Sequence, residues 1–145
     1  MNLFFDTSAL VKLFYVEQGL DHVEQLVNDT NNTIWISDLS RIEFLSAIHR
    51  KFREVQLNES ELTLAVKGFE EQLQYFAIEP MGQLIIDECA SLLKANDKTQ
   101  SLKTLDALQL AAFLSFAKTD WRCVLADEKL DKVANFIGLK TILIQ

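Results

Sequence analysis

Short apolar runs, several of them closed by an acidic residue, alternate along this chain with longer stretches in which apolar positions recur every three or four residues. The first pattern marks strands buried on both faces, the second amphipathic helices. Residues 2–5 (NLFF) predict a buried strand, and from Ala9 the spacing of Leu10, Leu13, Phe14 and Glu17 predicts a helix. A second helix is expected over 20–29, ended by the turn NDTNN. TIWIS (33–37), β-branched and aromatic, predicts the next strand. A helix over 39–54 follows, with Leu39, Ile42, Phe44 or Leu45, Ile48 and Phe52 as one apolar stripe. Asn58 and Glu61 have capping-box spacing and open a helix to about residue 75. YFAIEP (75–80) predicts a strand closed by Pro80, and a helix is expected over 82–95. Thr104 is placed as the cap of a helix over Leu105–Lys118. RCVLAD (122–127) predicts a strand, 128–137 a helix stopped by Gly138, and LKTILIQ (139–145) a last strand.

Strands alternating with helices predict an α/β sandwich, a mostly parallel sheet covered on both faces. Its 145 residues suffice for one domain, 1–145, with a proper core. Four glycines and one proline leave little room for a linker. In such sheets ligands bind beyond the carboxyl ends of the strands. Asp6 and Asp127 both stand there, each directly after an apolar run.

Charge and composition narrow the chemistry. The net charge of −7 argues mildly against wholesale electrostatic binding to nucleic acid. Basic residues are nevertheless clustered, at His49-Arg50-Lys51-Phe52-Arg53 and at Lys94, Lys98 and Lys103; a solvated helix face explains either group alone. No apolar run reaches the roughly 18 residues that cross a bilayer, and no basic segment followed by a long apolar stretch opens the chain, so a cytoplasmic protein without a membrane partner is expected. Cys89 and Cys123 lack metal or redox spacing and read as buried thiols. His22 and His49 read as surface residues, and without a Cys/His cluster a zinc site is not expected.

The candidate chemistry lies in the carboxylates. Taken singly, each has an ordinary explanation. Asp6 and Asp127 can cap the helices that follow them, and Glu43 has capping-box spacing from Ser40. Asp106 in a first turn favours the helix dipole by roughly 0.3–1 kcal/mol. Yet Glu43 lies within the apolar stripe, and Asp106 opens LDALQLAAFL, apolar nearly all round and therefore buried. All four are predicted at strand ends or helix starts of one sheet. Two unit charges about 4 Å apart repel by roughly 4 kcal/mol at an effective dielectric near 20. Four together call for a cation, and hard oxygen donors without soft partners select Mg²⁺ or Mn²⁺. Asp131, a turn beyond Asp127, reads as solvated or near the same mouth.

FFDTSALVKLF, SRIEFLSAI, LKTLDALQLAAFL and CVLADEKLDKVANFIGLKTI occur in the order and approximate spacing of a known family. Together they resemble the PIN-domain ribonucleases, and most nearly the VapC-like toxins of type II VapBC toxin–antitoxin pairs. The resemblance implies an α/β/α sandwich, a divalent metal and cleavage of single-stranded RNA. It implies catalytic roles for Asp6, Glu43, Asp106 and Asp127. Asp6, Asp106 and Asp127 would be the metal ligands, Glu43 would orient or deprotonate the attacking water, and Ser8 with Thr7 would support the site by hydrogen bonds. Lys12, Arg50, Lys51, Arg53 and Lys103 are candidate RNA contacts.

The chain departs from the family pattern at Gln109, where many relatives carry histidine, at Lys103 in place of a frequent arginine, and at Ala126 in place of a hydroxyl residue. The resemblance also implies an antitoxin partner. Phe44, Ile48 and Phe52 with Leu62, Val66, Phe69 and Leu73 would line its groove, form a homodimer contact, or be plain core. A catalytically silent PIN-like binding module is the non-enzymatic alternative. A haloacid-dehalogenase-type phosphatase is weaker, because the second aspartate it needs is Ser8 here. A phospho-receiver domain is weaker too, lacking adjacent acids after the first strand.

Overall fold

A computed structural model describes residues 1–96 and 101–145, so Lys98 of the second basic group lies outside the described residues. Five strands, β1 (Asn2–Phe5), β2 (Thr33–Ser37), β3 (Ala77–Glu79), β4 (Arg122–Leu125) and β5 (Thr141–Leu143), form one parallel sheet in the order β3-β2-β1-β4-β5. Among the described residues seven α-helices accompany them: α1 (Thr7–Leu10), α2 (Leu20–Asn28), α3 (Leu39–Arg53), α4 (Glu59–Gln72), α5 (Gln83–Ala95), α6 (Thr104–Phe116) and α7 (Glu128–Phe136). The predicted α/β/α sandwich is the fold observed.

The period of two along β1 divides the core. Leu3 and Phe5 join one cluster with Leu10, Ile36, Phe44, Ile48 and Phe69, while Phe4 joins the other with Leu110, Phe113, Leu125 and Val133. In the first cluster the Phe44 and Phe69 rings stack at 4.0 Å, and Phe14 meets both edge-on at 5.2 and 5.5 Å. Both cysteines are free and buried in the second cluster, and both histidines are exposed, as expected. No helix among the described residues is long and apolar enough to cross a membrane.

Several elements are shorter than the pattern suggests. The helix expected from Ala9 to Glu17 is one α-turn, Thr7–Leu10, continued by a 3₁₀ turn over Val11–Leu13. Tightening there turns Phe14 into the Phe44–Phe69 pair and lets Glu17 fold back on Lys12. Residues 73–75 form a 3₁₀ turn, so β3 begins only at Ala77. β4 ends at Leu125, which frees Asp127 for the turn into α7. β5 narrows to Thr141–Leu143. Thr104 is the first residue of α6 and not its cap; Lys103 holds the cap position with no side-chain bond.

The stripe on α3 also splits. Ser40, Phe44 and Ile48, four residues apart, face inward, whereas Ile42 is 67 % exposed and Leu45 and Phe52 lie on the rim. Phe44, Ile48 and Phe69 are core, with Leu62, Val66 and Leu73 packed against it; of the seven named groove residues only Phe52 is exposed. Gly138, with φ +88°, ends the turn after α7 as predicted, a conformation that favours glycine.

Candidate active site

Strand order reverses beside β1: the chain passes to β2 and β3 on one side and reaches β4 and β5 on the other. A crevice opens at the carboxyl ends of strands that diverge in this way. Asp6 leaves β1 there and Asp127 leaves β4 beside it, with Asp6 N–H donating to Val124 C=O at 2.9 Å. Asp106 in the first turn of α6 and Glu43 in α3 complete the wall; all four acids line one cleft of about 570 Å³.

Capping and clustering are not alternatives. Asp6 Oδ2 accepts from the Ser8 N–H at 2.9 Å and from the Ser8 hydroxyl. Asp127 Oδ1 accepts from the N–H groups of Lys129 (2.8 Å) and Leu130 (3.1 Å). Each cap fixes one side of a carboxylate whose residue lines the cleft. Ser8 Oγ in turn accepts from the Ala126 N–H at 2.9 Å, tying the end of β1 to the end of β4. The side-chain hydroxyl missing at position 126 is therefore not needed for this link. Glu43 is no capping-box residue, because α3 already starts at Leu39 and turns Glu43 toward Thr7, whose hydroxyl donates to Oε1 at 3.0 Å.

Burial acts on three of the four acids, while Asp127 is exposed. Asp6 is 6 % exposed, and burial, with help from the charges of Glu43 and Asp127, pushes its carboxyl up to about 6 despite the two Ser8 bonds. Glu43 is raised chiefly by burial and also by Asp106, against the lowering effect of its bonds to Gln109 and Thr7. Asp106 is raised by burial, then by Asp6 and Asp127, with Lys103 pulling the other way. Among the described residues no three acidic, histidine or cysteine side chains already close around one point. The acids converge on a cleft and stop short of a closed cage.

One member of the site was visible in the sequence only as a departure from a pattern. Gln109 is 2 % exposed. Its Nε2 donates to Glu43 Oε1 (2.6 Å), Ser40 Oγ (3.0 Å) and Thr7 Oγ1 (3.1 Å), while its Oε1 accepts from Ser37 Oγ (3.0 Å). The available signal was a lone amide inside a helix that is otherwise apolar nearly all round, since a buried amide must find partners.

The model of the PIN domain family matches residues 3–135. The chain belongs to the PIN domain family. No curated protein gives a significant sequence match. Solved structures share the fold. The sarcin-ricin loop cleaving toxin VapC20 of Mycobacterium tuberculosis has a TM-score of 0.70 at 14% identity, over 94% of this chain and 95% of that one. VapBC2 of Rickettsia felis, bound to a DNA fragment from its promoter, gives 0.69 at 14% over 100% of both chains. FitAcB of Neisseria gonorrhoeae gives 0.68 at 12% over 97% and 96%.

The opposite wall of this PIN domain's cleft is basic, and it is partly neutralised from within. Lys12, Arg50 and Lys51 line it, as does Glu17. Lys12 Nζ lies 3.1 Å from Glu17 Oε1 and donates to the Gln18 carbonyl at 2.9 Å; Lys51 Nζ lies 4.0 Å from Glu17 Oε2 and 4.8 Å from the centre of the Tyr15 ring. Burial and the neighbouring Glu17 push the Tyr15 phenol up. Arg53 and Lys103 do not line the cleft: α3 carries Arg53 past it, and Lys103 acts on Asp106 only through its charge. Asp131 is also outside it, accepting from the Thr141 hydroxyl at 2.6 Å and tying α7 to β5.

Proposed function

We propose that this PIN domain is a Mg²⁺- or Mn²⁺-dependent endoribonuclease that hydrolyses phosphodiester bonds in single-stranded RNA, and that it is the toxin of a VapBC-type toxin–antitoxin pair. The observation that carries this reading is the convergence of Asp6, Glu43, Asp106 and Asp127 on one cleft where, among the described residues, no cationic side chain is paired to any of them, although lysines stand in the same cleft.

The donor set fits a hard divalent ion. Carboxyl groups raised by burial and by one another gain most from a positive charge placed among them. An incompletely closed set suits Mg²⁺, which keeps several waters and binds through one or two carboxylates. Asp6, Asp106 and Asp127 would hold it. When bound, such an ion activates water and offsets charge on the phosphoryl oxygens.

The chain's own residues supply the rest. Ser8 holds Asp6 from behind and locks it to β4 through Ala126. Glu43, kept in place by Thr7 and Gln109, takes the proton of the attacking water; a base with a raised pKa sits nearer the working pH than an ordinary carboxylate does. Lys12, Arg50 and Lys51 would steer the RNA backbone toward the acids, with Arg53 and Lys103 contributing only at longer range.

The partner reading is supported by the solved neighbours, of which one is a toxin–antitoxin complex by name and two are VapBC proteins. A shallow groove lined by Ile42, Leu45, Phe69 and Leu73 between α3 and α4, rimmed by Asp38, Arg41 and Glu70, is the surface that would receive an antitoxin segment or a second copy.

The test is cleavage of a short single-stranded RNA by purified protein with Mn²⁺ or Mg²⁺ and with EDTA. Cleavage should require the metal. Asp106→Asn, nearly isosteric, should lower kcat by more than about 100-fold with an unchanged melting profile, since a lost ligand costs more than a lost outer-sphere partner. A variant that cuts RNA as fast as its parent, or cleavage indifferent to EDTA, refutes the assignment.

A further inference from the structure

Four uncharged polar side chains are packed where apolar ones would be cheaper: Thr7 of α1, Ser37 of β2, Ser40 of α3 and Gln109 of α6 are all buried. Replacing such a group wholesale by apolar residues of the same shape is often neutral or stabilising, so the fold does not require it. What distinguishes the network is where it ends. Gln109 Nε2 and the Thr7 hydroxyl both donate to the same oxygen of Glu43, Oε1, at 2.6 and 3.0 Å. Among the described residues no donor reaches Oε2.

We propose that Gln109 is a positioning residue whose amide, pinned by Ser37, saturates Oε1 of Glu43 and so aims Oε2 into the acid cleft. The Glu43 carboxylate, which only accepts, sets the direction of the amide, and the Ser37 hydroxyl answers by donating to Gln109 Oε1 at 3.0 Å. The reverse amide orientation would set that carbonyl oxygen against the Glu43 carboxylate, acceptor against acceptor. Two N–H groups serve three acceptors here, and the shortest contact goes to the charged one, as expected of a charge-assisted bond. An amide does not titrate, so it holds the carboxylate in the same pose across the working pH range. Ser37 at the end of β2 and Ser40 and Glu43 on the helix it feeds all bond Gln109, which reaches them from α6 on the far side.

The kinetic arm of this inference rests on the nuclease reading; a spectroscopic arm does not. Gln109→Met keeps the side chain's length and removes both donors. In RNA cleavage with Mn²⁺ it should lower kcat about 10- to 100-fold, the scale of a misplaced catalytic group, with KM changed less than about twofold. In a Glu43→Gln background the same change should cost less than about twofold, because two residues acting as a unit are not additive. Independently, the carbon-13 titration of the Glu43 carboxyl should move to higher pH in Gln109→Met, whether or not the protein cuts RNA. Equal losses in both backgrounds, or an unmoved Glu43 titration, overturn the proposal. If Gln109→Met does not fold, isosteric Gln109→Glu, which turns donor into acceptor, takes its place: the Glu43 midpoint should then rise further, and an unmoved one overturns the proposal equally. A parent that fails to cleave RNA sinks the nuclease reading and leaves the carbon-13 result to decide the role of Gln109.

Discussion

The two walls of the cleft handle charge in opposite ways. On the basic wall Lys12 and Lys51 are clasped by Glu17, a carboxylate supplied by the same chain. On the acidic wall none of Asp6, Glu43, Asp106 or Asp127 has a cationic partner within ion-pair distance among the described residues. In the nuclease reading proposed above, the acids keep no cation of the chain's own because a metal ion takes that place. The lesson is general: the informative feature of a carboxylate cluster is not its number of acids but which nearby cations decline to pair with it.

The comparison can be broken from either wall, and the largest effect is expected at Asp6. Its pKa in the folded protein, about 6, lies above the ordinary aspartate value of 3.8, so the native state binds this proton more tightly than the unfolded chain does. Ionising Asp6 therefore destabilises the fold. The penalty is absent below about pH 4, grows as pH rises through 4–6 and is complete above that, at about 3 kcal/mol by linkage. Asp6→Asn should then be more stable than the parent in metal-free buffer at pH 8, by up to this amount, and no more stable at pH 4. Denaturant midpoints at the two pH values measure it; a variant less stable at both would mean that the acid wall is not strained.

Next in size is the response to a cation. Mn²⁺ should raise the melting midpoint of the parent steadily with the logarithm of its concentration, a stabilisation of about 2.7 kcal/mol at 100 times Kd. Asp106→Asn should blunt the rise. A midpoint indifferent to millimolar Mn²⁺ argues that the acids are not a metal site.

The smallest effect sharpens the basic wall. In the Asp106→Asn background, Glu17→Gln should release Lys12 and Lys51 and tighten binding of a short single-stranded RNA about 2- to 5-fold, the scale of one partly screened charge. Glu24→Gln, the same charge change on α2 outside the cleft, serves as the control. Weaker binding in Glu17→Gln would show instead that Glu17 holds the lysines in their productive places.

What the sequence determined by itself was most of what depends on neighbours a few positions away, the short helical turns after Asp6 and the cap of α6 excepted. Apolar runs of strand length, stripes of helical spacing, the Asn58–Glu61 capping box and the stop at Gly138 are local, and each appears in the structure close to where the pattern puts it. The acids just beyond the tips of β1 and β4 were legible for the same reason, since the residues that follow a buried run leave the sheet at its carboxyl end. Partnerships across 30 to 100 positions were not. Whether Glu43 capped its own helix or reached Thr7 depended on where α3 began, and that Lys51 answers to Glu17 depended on a 3₁₀ turn that periodicity reads as plain helix. Gln109, 102 residues from Thr7, is the limiting case. Its residue type announced only that a buried amide must be satisfied, and the packing of α6 against the sheet decided by whom.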